Sequence, residues 1–300
     1  MNANEFHQAR KFADTPFGRI AWVERGSGQP ALLVHGFPLN GFQWRGVAEG
    51  LAGDRRCLMP DLMGLGYSEI AEGQDLSFTA QARMLASFLD ALGVGAVDLV
   101  GNDSGAAICQ VFAAHHPSRV RTLTLTNCEV HDLWPKPMLR ALLDAFESGA
   151  AIQGIKAMLQ DPAVARAQLE SVYENPAIVT QEMLEVYYRP LVADDRPIRK
   201  FVGAEVNRAQ LVASAPMLKQ LTVPAQVIWG DGDTVFDGPA SIDWLVANVP
   251  AIRRVTRIPL ARLFFPEEHP RLLSVLLREF WNSTASKTTS GKQSVEMRPA

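Results

Sequence analysis

The sequence has only three cysteines, Cys57, Cys109 and Cys128, too few and too scattered for a disulfide framework or a metal-ligand spacing. They read as buried free thiols of a reducing compartment. No apolar run approaches the roughly 18 residues of a transmembrane helix. The opening MNANEFHQARKF lacks the apolar stretch of a secretory signal. Charge of one sign is not in excess: 29 Lys and Arg stand against 32 Asp and Glu, a formal net charge of −3. That balance gives no reason to expect nucleic acid or an anionic membrane surface as partner. There is no ligand-spaced His/Cys cluster and no phosphate-cradling glycine loop, so neither a metal nor an organic cofactor is implied. Internal repeats are absent. A soluble, cytoplasmic, acidic protein is expected, with homodimerisation left open.

What is present is 47% hydrophobic residues in a chain of 300, enough for a sizeable core. RIAWVER alternates as a half-buried hairpin strand would, and ALLVHGF is a continuous apolar run suited to a buried parallel strand. GFQWRGVAEGLAG reads as a helix, RCLMPDL as a strand, LSFTAQARMLASFLDALGV as a helix, VDLVGND as a strand, SGAAICQVFAAHHP as a helix and TLTLTNC as a strand. This alternation predicts an α/β fold with a mostly parallel sheet flanked by helices. From 132 to 216 the rhythm turns helical, which predicts a lid inserted after the sixth strand between two parts of the core, 1–131 and 217–283. AQVIWGD and RRVTRIPL then resume the strands, HPRLLSVLLREFW ends the core with a helix, and 284–300 reads as a polar, disordered tail.

The sharpest local signal is Val100-Gly101-Asn102-Asp103-Ser104-Gly105-Ala106, a strand running through two glycines into a helix. Glycines two places either side of a central residue allow a strained strand-turn-helix elbow that thrusts the central side chain up at the sheet's end. The register puts Asp103 at that centre and Ser104 one place beyond. The competing reading is that Asp103 only caps the helix.

With LLVHGFPLNGFQWRGV, LMPDLMGLGYSE and LVGNDSGAAICQVFAAHHPSRV, the chain resembles the α/β-hydrolase superfamily from about residue 9 to 282. Its closest branch there is the haloalkane dehalogenases and epoxide hydrolases, which carry aspartate at the elbow. The resemblance implies an apolar small-molecule substrate and Asp103 as a nucleophile forming an alkyl ester. It implies an oxyanion hole from the Phe37 and Ser104 N–H groups, with His35 orienting its loop. It places the orienting acid at Asp233, with Glu129 or Asp132 as the other position. Where the family carries its histidine base, between Ile258-Pro259 and Pro266-Glu267-Glu268, this chain has Leu263. His269 could substitute, although helix capping explains it as well. His131, beside Glu129 and Asp132, could be a relocated base. The third reading is that no histidine base exists, leaving a non-hydrolytic lyase, isomerase or cyclase with Asp103 as base, or a ligand-binding pseudo-hydrolase. The tryptophan that follows the nucleophile in dehalogenases is Ser104 here, and Phe37 cannot donate from its side chain. Tyr173, Tyr187 and Tyr188 are candidate proton donors from the lid, as epoxide hydrolases use.

Overall fold

The computed structural model describes residues 1–201 and 203–289. Eight strands form one sheet: β1 (Lys11–Thr15), β2 (Gly18–Arg25), β3 (Gln29–Val34), β4 (Arg55–Pro60), β5 (Val97–Gly101), β6 (Val120–Thr126), β7 (Ala225–Gly230) and β8 (Ile252–Ile258). Their spatial order is β1-β2-β4-β3-β5-β6-β7-β8, antiparallel across β1-β2-β4 and parallel from β4 to β8. β1 and the short helix Ala3–Gln8 were not legible in the pattern, because five and six residues carry too little periodicity.

Burial follows position in the sheet. Every residue of β5 and β7 is buried, the polar Asp98 and Gln226 included, as central parallel strands covered on both faces should be. At the edge, β8 alternates between half-buried and exposed residues. Helices cover the sheet. Phe78–Ala91, Ser104–His115 and Ala204–Leu218 pack on one another, and Arg45–Leu51 packs on the last helix, Pro270–Thr289. That last helix runs past residue 284, where the sequence suggests a disordered tail. Residues 290–300 lie outside the described residues.

Two features of the topology locate the site. From β3 the chain passes to β4 on one side, then returns to place β5 on the other side of β3. Loops leaving the carboxyl ends of β3 and β5 therefore diverge and open a crevice, where open α/β sheets bind their ligands. Between β6 and β7 lie the helices Pro137–Ser148, Ala151–Gln160, Pro162–Gln168, Gln181–Ala193, Arg196–Phe201 and Ala204–Leu218. Leu143, Ile155, Tyr188 and Phe201 of this insert face a cavity that Asp103 also lines. Among the described residues no helix is long and apolar enough to cross a membrane.

Candidate active site

Asp103 is the turn between β5 and the helix Ser104–His115, held at φ 55 and ψ −136. A left-handed φ is uncommon for a residue with a side chain and is kept only when the surroundings over-determine it. The surroundings here do so. A Cβ on Gly101 would lie 2.6 Å from the Ala106 Cα, and one on Gly105 would lie 2.3 Å from the His35 carbonyl oxygen. Both glycines are what let strand, turn and helix approach. The Asp103 side chain does not cap its helix. Instead its Oδ2 accepts from the Phe37 N–H at 2.6 Å, and the Ser104 N–H also favours the carboxylate.

Opposing forces set the charge of this group. Burial pushes the Asp103 carboxyl up, the two N–H donors pull it down, and the negative charge of Asp233 raises it further, to about 7.

His35 is completely buried. Its Nε2 accepts from the Leu62 N–H at 2.8 Å, so Nδ1 carries the proton and donates to the Gly36 carbonyl at 3.0 Å. Burial lowers its pKa to about 4, so it stays neutral and fixes the loop that presents Phe37. The Gly36 N–H donates to Gln43 Oε1 at 3.0 Å, Gln43 Nε2 donates to Asn102 Oδ1 at 2.7 Å, and Asn102 Nδ2 donates to the Leu263 carbonyl at 3.0 Å. This chain of amides joins the β3 loop, the elbow and the loop after β8. Nothing in the local spacing of Gln43 and Asn102 announces it.

Leu263 is buried and lines the cavity beside Asp103. His131 lies elsewhere. Its ring stacks on Trp244 at 4.6 Å between centroids, its Nδ1 pairs with Asp132 Oδ1 at 2.6 Å, and it is not among the cavity-lining residues. The relocated base group therefore does not assemble around Asp103, because a left-handed turn at His131 (φ 52) aims that side chain at the helix Gly238–Asn248. His269 pairs with Glu174 at 2.8 Å, and it too is absent from the lining.

Of the three candidate acids, Asp132 pairs with His131 away from the cavity, whereas Asp233 and Glu129 are near the nucleophile in different ways. Asp233 accepts from Asn127 Nδ2 at 2.8 Å and from the Val235 N–H at 2.7 Å, while Asn127 takes the Asp103 N–H on its carbonyl at 2.8 Å. Glu129 lines the cavity itself, is 6% exposed, and its Oε2 is buried with no hydrogen-bond partner among the described residues. Burial, then the charge of Asp103, pushes its carboxyl up.

Of the three tyrosines, only Tyr188 lines the cavity. Tyr173 and Tyr187 donate instead to Glu267, at 2.6 and 2.5 Å, and Arg45 pairs with the same carboxylate. The local Pro266-Glu267-Glu268 sequence carries no sign that Glu267 would gather these groups. The cavity holds about 530 Å³ and is walled mainly by aliphatic and aromatic side chains; Ser104 Oγ and Trp134 Nε1 are unpartnered polar atoms of residues in its wall. No Lys, Arg or His among the described residues lines it. Among the described residues no cluster of three His, Cys, Asp or Glu is disposed to hold a metal ion.

Comparison with known proteins places this geometry in a family. Residues 30–270 match the family model described as alpha/beta hydrolase fold. Haloalkane dehalogenase 2 of Mycobacterium bovis is 27% identical over 284 residues, covering 90% of this chain and 94% of that protein. Epoxide hydrolase 2 of Siraitia grosvenorii is 26% identical over 295 residues, covering 85% and 92%. Among solved structures, the epoxide hydrolase CorEH without ligand superposes with a TM-score of 0.76 at 21% identity, over 91% of this chain and 98% of that one. Spanning most of its own length with that family model, and carrying the elbow, the crevice and the helical insert, this chain belongs to the alpha/beta hydrolase fold family.

Proposed function

We propose that the protein hydrolyses a neutral, apolar small molecule, an epoxide or a carbon–halogen compound, with Asp103 as nucleophile and the helices of 132–216 as a lid. The observation that carries this reading is the Asp103 carboxylate held by the Phe37 N–H at 2.6 Å at the end of a mainly apolar cavity. A carboxylate oxygen there attacks an sp³ carbon and becomes an alkyl ester. The two backbone donors that hold the carboxylate are then in place to hold the oxyanion formed when water attacks that ester. Asp233, fastened by Asn127, supplies negative charge behind the nucleophile. Relatives named haloalkane dehalogenase and epoxide hydrolase support the reaction class.

The test is incubation with a panel of neutral epoxides and haloalkanes, followed by intact-mass and peptide mapping. Product formation, or an adduct on Asp103, in the wild type and neither in Asp103→Asn supports the reading. Absence of both across the panel overturns it.

A second reading is favoured by one observation, Leu263 in the cavity wall where a histidine base would stand, and it agrees with the burial that pushes the Asp103 carboxyl up to about 7. A carboxylate titrating there suits a proton acceptor in a non-hydrolytic isomerase or lyase. Under that reading Asp103→Asn abolishes an activity that never passes through an adduct.

A further inference from the structure

Glu129 and Asp103 are two carboxyl groups in the wall of one cavity, and their surroundings differ. Asp103 is supplied with N–H donors, which favour the anion. Glu129 has a buried Oε2 without a partner among the described residues. A buried carboxylate oxygen left without a donor is costly, and the neutral acid is the less costly form. Both groups hang from neighbouring backbone: the Asp103 N–H donates to the Asn127 carbonyl at 2.8 Å, two residues before Glu129. Gln110 Nε2 holds the Glu129 carbonyl at 2.9 Å. Among the described lining residues there is no cation, and the charge of Asp233 weighs on both groups, so a neutral form is favoured for one of them. Two N–H donors on Asp103, against its own backbone N–H alone on Glu129, favour the charge on Asp103 and the proton on Glu129.

We propose that Glu129 is the catalytic acid and then the catalytic base of the reaction at Asp103, filling the place a histidine would take. The inference rests on Asp103 being the nucleophile, and it selects epoxides as the substrate class. In the first step an Asp103 carboxylate oxygen bonds to an epoxide carbon, the carbon–oxygen bond of the ring breaks, and the released oxygen takes the Glu129 proton. The ester is neutral and Glu129 is now the anion, freed from the repulsion of Asp103. In the second step Glu129 takes a proton from water as its oxygen bonds to Asp103 Cγ. The tetrahedral oxyanion sits on the Phe37 and Ser104 N–H groups. It collapses by breaking the bond to the alkyl oxygen, which takes the hydroxyl proton left on Cγ. A diol leaves, Asp103 is a carboxylate again and Glu129 is again an acid. A halide needs no proton on leaving, so a haloalkane would leave Glu129 protonated and the ester without its base.

The experiment uses styrene oxide and bromohexane with the wild type, Glu129→Gln, Glu129→Asp and Asp103→Asn. Styrene oxide turnover in the wild type, falling on the order of 10² to 10⁴-fold in Glu129→Gln and partly rescued in Glu129→Asp, supports the proposal. Bromohexane should leave an ester on Asp103 that the wild type clears faster as pH rises, whereas Glu129→Gln clears it slowly at every pH. Equal styrene oxide turnover in Glu129→Gln and the wild type, with Asp103→Asn inactive, overturns the role of Glu129 and leaves Asp103 standing. A wild type that accumulates the styrene oxide ester without diol does the same. No ester or diol with either compound overturns the Asp103 reading and this proposal with it. Circular dichroism and a thermal melt of Glu129→Gln separate lost chemistry from lost folding.

Discussion

Asn102 Nδ2 donates to the carbonyl oxygen of Leu263 at 3.0 Å, so the residue before the nucleophile is fastened to the loop in which a leucine replaces the expected histidine. The backbone of that loop is held there by a bond that does not involve the side chain at 263. The Leu263 side chain, buried in the wall beside Asp103, marks where an imidazole would project.

Leu263→His should therefore place an imidazole in the cavity without moving the loop. Its expected cost is about 1–3 kcal/mol of stability, since a polar ring enters an apolar wall. If ester hydrolysis limits turnover, the substitution raises the steady-state rate and removes any accumulated Asp103 adduct. Rapid-quench mass spectrometry of wild type and variant checks this, and an unchanged adduct lifetime counts against the placement.

The titration of Asp103 has a signed consequence for stability. Its folded pKa, about 7, lies above the ordinary aspartate value of 3.8, because burial disfavours the charge. Between those pH values the native state holds a proton that the unfolded chain has released, so stability falls as pH rises through that window. Glu129, pushed up for the same reason, adds to the loss. Thermal melts from pH 4 to pH 8 should show Asp103→Asn gaining on the wild type as pH rises, with the difference smallest near pH 4. A constant difference across the range would remove Asp103 as its source.

The Glu267 carboxylate accepts from Tyr173 and Tyr187 of the helical insert and pairs with Arg45 of the core, at 1% side-chain exposure. Glu267→Ala removes the counter-charge of Arg45, which keeps the Phe42 carbonyl, and the acceptor of two buried hydroxyls, and should lower stability by about 3–5 kcal/mol. Glu267→Gln keeps the shape and should lose less. Urea denaturation measures both. Hydrogen exchange should quicken in Gln181–Ala193, which carries Tyr187.

His131→Ala should leave turnover within a factor of about 3, because its ring packs on Trp244 and pairs with the exposed Asp132. A much larger loss, with an adduct persisting on Asp103, would give His131 the base role its stacked position argues against.

With Asp103 and Glu129 but no basic residue among the described residues of its wall, the cavity should also discriminate by charge. A carboxylated epoxide should be turned over about tenfold or more slowly than a neutral one of the same size, since like charges repel strongly where water is excluded. Competition between the two in one reaction measures the ratio directly.

By itself the sequence determined the alternation of strands and helices, the elbow and its central residue. Continuous apolar runs and paired glycines are local signals, and Gly101 and Gly105 can be read without knowing what they touch. The leucine at 263 was legible for the same reason, since Ile258-Pro259 before it and Pro266-Glu267-Glu268 after it pin its register. Only the tertiary structure decided which polar side chains meet. His131 and Glu129 are two residues apart, yet a left-handed turn sends one to Trp244 and leaves the other in the cavity wall. Tyr187 and Tyr188 are adjacent, yet helical geometry turns one hydroxyl to Glu267 and sets the other ring against the cavity. Direction within a turn or around a helix is set by packing partners far away in the chain, and local spacing carries no record of them.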